Sequence, residues 1–341
     1  MEPMTLDIET ARSDSTELDA PEFDTSEFDA AAIATRATQL VREHYVFPEV
    51  GDQIAALLLE QLANGQYATA TTVAELAELV TVDLQSLNSD RHLRLKHHLD
   101  PQADLAEDDA RQAVYAALAR DDMSGIRRVE RLAGNVGLVC FADMLHSAEI
   151  VGGAVAAAMT LIAETRALII DLRQNRGGDP ATVALVISYL VDERTHLNSM
   201  VPREPSKAAQ QWTLPWVPGP KFGADKPVWV LTSAATFSGA EELAYDLQQL
   251  GRATVVGETT KGGANAREGF TLHPHLELAV PVVAARNPVS NSNWEGVGVT
   301  PDVAVDADSA LDTAYRLALE VLVADVTLGP GLRREIATAQ G

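Results

Sequence analysis

The stretch PVWVLTSAATFSGAEELAYDLQQL, residues 227–250, decides the fold. It starts with an apolar run that is typical of a buried strand, continues through small polar residues, and ends in a pattern of helical period. A strand that leads directly into a helix is the repeating unit of α/β proteins. Ser238 and Gly239 stand at the junction. Ser238 and Glu241 fit a capping box S-x-x-E, but a serine in this position is also typical of an exposed nucleophile.

The same alternation of strands and helices extends on both sides of this stretch. Continuous apolar strands separated by helices predict a sheet that is covered on both faces, which is an α/β core. The segment 197–226, with Trp212 and Trp216, is predicted to be a long loop over that core. The predicted strands are 135–142, 167–173, 227–233, 253–258 and 276–283, and the predicted helices between them are 148–165, 180–192 and 239–250.

The N-terminal part of the chain has a different texture. Residues 1–29 hold ten acidic residues and one basic residue, which predicts a disordered or loosely docked arm. Three helical patterns follow, with Thr71 or Thr72 as the N-cap of the third. We therefore divide the chain into five segments: an acidic arm (1–29), a helical N-terminal domain (30–92), a linker or cap segment (93–134), an α/β catalytic core (135–325) and a C-terminal tail (326–341).

The composition excludes several classes of partner. The 341 residues carry a formal net charge of −23. A surface with this charge repels nucleic acid and anionic lipid. The negative charge either favours a cationic substrate or serves only to keep the protein soluble. The single cysteine, Cys140, excludes an internal disulfide framework. The N-terminus lacks the pattern of a signal peptide and no apolar run is long enough to span a bilayer, so we expect a cytoplasmic protein. The oligomeric state is open, a homo-oligomer included.

A second motif, DLRQNRGGDP at residues 171–180, places two glycines before a helix. Free N–H groups at such a turn either form an oxyanion hole or simply start a helix that binds nothing. Phosphate binding is disfavoured because neither GxGxxG spacing nor a P-loop lysine is present. Asp171 and Arg173 are expected to form an internal ion pair.

A serine nucleophile needs a base, and the sequence contains eight histidines. His92, in SDRHLRL at the exit of the helical domain, lies where a domain boundary would place a cleft, although a surface histidine is the simpler alternative. A metal site is not expected, because adjacent His97 and His98 cannot easily share one ion and His273-Pro-His275 lacks further ligands. No organic cofactor is implied either.

Together, DLRQNRGG (171–178), TFSGAEELAYDLQQLGRATVVGETTKGGA (236–264) and WEGVGVTPDVAV (294–305) resemble the S41 serine peptidases. That family comprises the C-terminal processing (tail-specific) proteases, the tricorn-type peptidases and the repeats of the interphotoreceptor retinoid-binding protein. SDRHLRL and GGA are most similar to the tricorn-type peptidases and the retinoid-binding-protein repeats. The resemblance implies a crotonase/ClpP-like α/β core with a small helical N-terminal domain. Residues 93–134 are too few for the PDZ domain that family proteases often insert there.

The resemblance also implies roles for individual residues. Ser238 matches the family nucleophile, and His92 matches the histidine that serves as base in the tricorn-like branch. Glu295 matches a glutamate of the same tetrad, and Ser89 is a looser match to its serine. The processing proteases instead use a lysine that aligns with Gly263, so Lys261, two residues earlier, is the less favoured alternative base.

The family oxyanion donors fall on Gly177, Gly178 and Gly239. The implied function is a serine hydrolase that cleaves peptide bonds through an acyl-enzyme on Ser238, without metal or cofactor.

Two alternatives remain open. One is a carrier of retinoids or lipids with the same fold, whose pocket could be lined by Trp212, Trp216, Trp229 and Trp294. The other is an amide or ester acyl-transfer enzyme that acts on a small molecule. The natural substrate, its cleavage specificity and the role of the acidic arm are not determined by the sequence.

Overall fold

The computed structural model of the protein describes residues 28–101 and 108–340. Nearly all of the acidic arm lies outside the described residues. The helices are α1 (Ala30–His44), α2 (Pro48–Ala63), α3 (Val73–Gln85), α4 (Asp108–Asp121), α5 (Ala148–Ile162), α6 (Pro180–Ser188), α7 (Gly239–Gln249), α8 (Ala307–Val323) and α9 (Pro330–Ala339). The strands are β1 (Arg94–His97), β2 (Ile126–Leu132), β3 (Val136–Phe141), β4 (Asp143–Leu145), β5 (Ala167–Asp171), β6 (Asn175–Gly178), β7 (His196–Pro202), β8 (Ala209–Trp212), β9 (Val228–Thr232), β10 (Thr254–Gly257), β11 (Asn265–His273), β12 (Leu276–Arg286) and β13 (Val303–Ala304).

The predicted α/β core is confirmed as a six-stranded sheet of order β13-β10-β9-β5-β3-β2. Its neighbours pair in parallel except for β2, which runs antiparallel to β3 at one edge. Side chains of β5 and β9 alternate between two apolar cores. One core includes α5, α6 and α7, and the other includes α8 and α9. The central strands are therefore buried on both faces, which explains their continuous apolar sequences.

A second, five-stranded sheet lies outside this core. Its strands follow the order β1-β12-β7-β8, and β11 also pairs with β12. All the pairs in this sheet are antiparallel. Leu276, Leu278 and Val280 of β12 are fully buried in one cluster with apolar residues of α1, α2 and α3. The N-terminal helices thus share their core with a strand that is about 200 residues later in the chain.

Three of the assignments made from the sequence need correction. The strand predicted at 276–283 belongs to the second sheet rather than to the α/β core. The predicted linker 93–134 contains β1, α4 and β2, and β2 extends the main sheet beyond its predicted start at 135. The predicted loop 197–226 contains the hairpin of β7 and β8. The strands β1, β2, β7 and β8 carry mixed polar and apolar residues, so they lack the apolar runs by which buried strands are recognised.

The helix ends follow local signals. The side chain of Asp29 accepts the N–H of Ala32 at the start of α1, and Thr72 rather than Thr71 provides the side-chain cap of α3. The C-terminal tail, residues 326–341, contains α9. Leu328 and Ile336 are buried against the second face of the main sheet, and this amphipathic contact stabilises the helix. Within the described ranges, no helix is both long enough and apolar enough to cross a membrane.

We expect the two faces of the main sheet to contribute similarly to stability. Ile169 and Ile170 are fully buried on opposite faces of β5, so Ile169→Ala and Ile170→Ala should each lower the free energy of unfolding by about 2–5 kcal/mol. Val326 is 86% exposed, and Val326→Ala should change it by less than about 0.5 kcal/mol. Urea unfolding followed by circular dichroism measures all three. A small cost at only one isoleucine would mean that its face is not covered as described.

Candidate active site

The junction between β9 and α7 forms a tight turn with Ser238 at its tip. Ser238 adopts φ 54° and ψ −122°, a left-handed conformation that is strained for a residue with a side chain. The preceding residues tie the turn to the strand beside it: the Thr236 hydroxyl donates to Leu172 O, and the Ser233 hydroxyl donates to Arg173 O. The neighbouring strand therefore supports the strain. Asp171 and Arg173 form the expected ion pair at 2.8 Å next to this support.

The two interpretations of Ser238 prove compatible. The capping box is present, and the Ser238 N–H donates to Glu241 Oε2 at 2.8 Å. The Ser238 hydroxyl also faces His92, because Ser238 Oγ lies 3.1 Å from His92 Nε2. The backbone of Ser238 thus caps α7 while its side chain contacts an imidazole. This is the hydrogen bond by which a base activates a serine.

Glu241 connects this turn to the loop 260–263. Its buried carboxylate accepts hydrogen bonds from Ser238 N–H, the Thr260 hydroxyl, Gly262 N–H and Gly263 N–H. Burial raises the pKa of Glu241, while these donors favour its charged form. The sequence identified Glu241 only as a capping residue, since its partners in the loop lie some twenty residues downstream.

The glycine turn at 177–178 lies directly against Ser238. A Cβ on Gly177 would come within 2.6 Å of Ser238 Cβ, and one on Gly178 within 2.0 Å of Leu145 O. The Gly177 N–H already donates to Asn175 Oδ1 at 2.9 Å, so Gly177 must be removed from the predicted oxyanion donors. Gly178 and Gly239 remain. Gly239 is the first residue of α7, and an N–H in that position has no helical acceptor.

His92 lies just before β1, and a hydrogen bond to Asp90 fixes its backbone. Asp90 Oδ1 accepts the His92 N–H at 3.0 Å, while its Oδ2 accepts from the Tyr45 hydroxyl at 2.9 Å and from Asn265 Nδ2 at 3.0 Å. Asp90 is fully buried. The predicted Ser89 is instead exposed, and its N–H donates to Gln85 O at the end of α3. Ser89 is therefore not part of the site, and the sequence analysis missed Asp90, whose SDRH context was the available signal.

Glu295 lies close to the same imidazole. One ligand-type atom from each of Asp90, His92 and Glu295 falls within 4.8 Å of the others. Glu295 Oε2 accepts the N–H groups of Ala264 and Asn265, whereas His92 Nδ1 and Glu295 Oε1 are both buried without a hydrogen-bond partner. A carboxylate oxygen beside an imidazole N–H is the arrangement by which a carboxylate orients a catalytic imidazole.

These three side chains also form the arrangement from which a metal site could be built. Both oxygens of Asp90 and one oxygen of Glu295 accept protein donors, whereas His92 Nδ1 and Glu295 Oε1 have no partner. One unpartnered imidazole nitrogen and one unpartnered carboxylate oxygen fit an imidazole–carboxylate pair.

The environment shifts the pKa values of this group. The pKa of His92 is lowered to about 3, first because the ring is buried and then because four cations oppose its protonation: Arg267, Arg94, Lys96 and Lys261. The pKa of Glu295 is raised to about 7, first by burial and then by the charge of Asp90. Burial also raises the pKa of Asp90. At neutral pH the imidazole is consequently neutral, which is the form that can accept a proton.

Ser238 and His92 line a cleft of about 1040 Å³, whose walls include residues of β1, β6, β7, β11 and β12 and the start of α7. Lys261 also lines it, with Nζ 4.9 Å from the ring centroid of Phe237. The Phe237 ring in turn lies 4.5 Å from the His92 ring. Of the four tryptophans proposed for an apolar pocket, Trp294 alone lines the cleft. Trp229 is buried in the main sheet and Trp216 is 72% exposed, so the tryptophans do not share one pocket.

Family comparisons cover most of the chain. Residues 135–305 match the family model of peptidase family S41, and residues 28–128 match a model described as the N-terminal domain of this family in eukaryotic IRBP. A carboxyl-terminal-processing protease from Picosynechococcus is 34% identical over 109 residues, which are 30% of this chain and 26% of that protein. The chain thus aligns with about a quarter of the length of the curated relatives that it matches.

Two solved structures show the same fold at low identity. The photosystem II D1 C-terminal processing protease superposes with a TM-score of 0.51 and 15% identity, over 83% of this chain and 94% of that one. The tricorn protease superposes with a TM-score of 0.54 and 13% identity, over 86% of this chain and 37% of its own. These similarities concern the fold alone.

We expect the His92 imidazole to stay neutral throughout the neutral range. Because burial disfavours its charged form, its NMR signals should not titrate between about pH 5 and 8 in the folded protein. The spectrum of His92→Gln assigns the signal, and the same histidine in urea-unfolded protein should titrate near pH 6.5. A midpoint near pH 6.5 in the folded protein would show that the ring is solvated.

Proposed function

The chain belongs to peptidase family S41, and we propose that it is a serine peptidase in which Ser238 attacks the carbonyl carbon of a peptide bond. The observation that carries this proposal is the 3.1 Å contact between Ser238 Oγ and His92 Nε2 at the tip of a strained turn in the cleft. Neither a capping role nor a structural histidine accounts for this contact, since the cap uses the backbone of Ser238 and the Glu241 carboxylate.

In the first step, neutral His92 takes the Ser238 proton through Nε2 while the serine oxygen bonds to the carbonyl carbon. The imidazolium then donates this proton to the leaving amine, which leaves an acyl-enzyme. Water attacks the ester in the reverse sequence of proton transfers and regenerates Ser238. Glu295 stabilises the imidazolium by accepting a hydrogen bond from its Nδ1–H, for which the free Oε1 is available.

The negative oxygen of the tetrahedral intermediate needs hydrogen-bond donors on the side of Ser238 that faces away from His92. The Gly239 N–H is the first of α7 and lies at the positive end of the helix dipole. Gly178 approaches it closely, since a Cβ on Gly239 would come within 3.0 Å of Gly178 N. We assign these two N–H groups to the oxyanion hole.

A lysine base of the processing-protease type is disfavoured by the space around residue 263. A Cβ on Gly263 would lie 2.3 Å from the Phe237 ring and 2.8 Å from His92 Cε1. His92 therefore fills the volume that a side chain at this position would enter. Lys261, two residues earlier, places its ammonium over Phe237, and burial lowers its pKa.

The proposed nucleophile can be tested with a fluorophosphonate followed by intact-mass spectrometry and peptide mapping. We expect one adduct on Ser238 that is absent in Ser238→Ala and His92→Ala, formed equally well in the presence of EDTA. Ser238→Ala should lower the free energy of unfolding by no more than about 0.5–2 kcal/mol, since its backbone still donates to Glu241. The control Ser206→Ala alters an exposed serine and should label normally. A folded wild-type protein that forms no adduct would refute the mechanism.

The base is identified by comparing His92→Ala, Lys261→Ala and Gly263→Ala. His92→Ala should reduce the rate of fluorophosphonate inactivation and of peptide hydrolysis by on the order of 10⁴-fold or more, and Lys261→Ala by less than about tenfold. Gly263→Ala should also lose most activity, because its methyl group displaces the imidazole. A larger loss at Lys261 than at His92, with both variants folded, would assign the base to the lysine.

A further inference from the structure

The cleft contains a concentration of positive charge. Six basic side chains line it, and they come from separate parts of the fold: Arg91, Arg94 and Lys96 around β1, Arg176 in the glycine turn, Lys261 in the loop after β10, and Arg267 in β11. The chain has 26 lysines and arginines against 49 acidic residues. Nearly a quarter of its cations therefore face a single cleft.

Few carboxylates oppose this charge. Glu242 is the one acidic residue of the described chain that lines the cleft, and burial raises its pKa to about 7. Outside the lining, Glu277 forms ion pairs with both Lys96 at 3.3 Å and Arg267 at 2.6 Å, so one carboxylate serves two cations. The sign of the cleft is consequently opposite to that of the whole protein, whose net charge is −23.

The remaining four cations have no anionic partner among the residues that the structure describes. Arg91, Arg94, Arg176 and Lys261 form no ion pair with any residue of the described ranges, and Arg94 Nε is buried without a hydrogen-bond acceptor. Like charges gathered in this way repel each other, and a bound anion would relieve the repulsion. Arginine binds carboxylates through paired, charge-assisted hydrogen bonds.

The cations also lie close to the reacting groups. Arg176 is the residue between Asn175 and Gly177, in the turn that packs against Ser238. Four of the six are the cations that lower the pKa of His92, which places them within electrostatic reach of the imidazole. An anion bound to them would therefore lie beside the scissile bond rather than at a remote surface.

From this arrangement we propose that the cleft selects peptides in which acidic side chains flank the scissile bond, with Arg94, Arg176 and Lys261 as the specificity-determining side chains. This inference rests on the proposed peptidase function, but the binding step can be tested independently of hydrolysis.

The test uses the full chain carrying Ser238→Ala and four fluorescent alanine-rich peptides of equal length. They contain either glutamate or glutamine and end in either a free carboxylate or an amide, and fluorescence anisotropy measures their binding. We expect glutamate in place of glutamine to tighten binding by about tenfold or more with either C-terminus, the range of a charge-assisted hydrogen bond. The gain should shrink as salt increases. A gain from the free C-terminus alone, with no gain from glutamate, would overturn the proposal.

Arg176→Gln should remove most of this gain without affecting folding, because the side chain is exposed. Arg94→Gln should do the same if circular dichroism shows that it is folded. Arg334→Gln changes an exposed arginine on α9, outside the cleft, and should retain the full gain. Equal binding of all four peptides, or a gain that persists in both cleft variants, would overturn the proposal.

Hydrolysis by the protein with Ser238 intact separates the two proposals. Cleavage of carboxylate-bearing and neutral peptides at equal rates would refute the charge selection and leave the peptidase function standing. Charge-dependent binding without cleavage of any of the four peptides would support the anion site and count against the peptidase function.

Discussion

The buried carboxylate of Glu241 is the interaction on which the site depends. It accepts four hydrogen bonds, one from the turn at Ser238 and three from the loop 260–263, and it thereby fixes two segments that the fold alone leaves independent. An ionised carboxylate in such a position is stable only when donors compensate its lost hydration. The same bonds that satisfy the charge of Glu241 thus determine where the loop passes beneath His92.

The loop is held from its other side as well. Trp294 donates its indole N–H to Gly263 O at 2.9 Å, and Glu295 accepts the next two N–H groups of the chain, those of Ala264 and Asn265. Asn265 then reaches Asp90, which holds the backbone of His92. A continuous chain of hydrogen bonds therefore links the serine turn to the histidine through residues 263–265. A side chain at position 263 would collide with the imidazole at the centre of this chain.

Much of this arrangement could be predicted from local patterns, and the remainder could not for a physical reason. The apolar strands and amphipathic helices of the main sheet were recognised because burial on both faces leaves a local signature. The five-stranded sheet was missed, since β1 pairs with a strand some 180 residues later and its four residues carry no distinctive period. Family resemblance indicated Ser238, His92 and Glu295, which the fold brings together. It placed the fourth member at Ser89, whereas Asp90 is the residue whose side chain turns inward. The basic cleft was equally hidden, because total charge says nothing about where individual charges are placed.

The pairing of β1 with β12 determines when the site can assemble during synthesis of the chain. His92 and Ser238 are 146 residues apart in the chain, and the strand that aligns the segment of His92 ends only at Arg286. Residues as far as Glu295 must emerge from the ribosome before the hydrogen bonds around the imidazole can close. Contacts of such long sequence separation form late in folding. The side chains of Ser238, His92 and Glu295 consequently cannot come together in a growing chain that ends before residue 295.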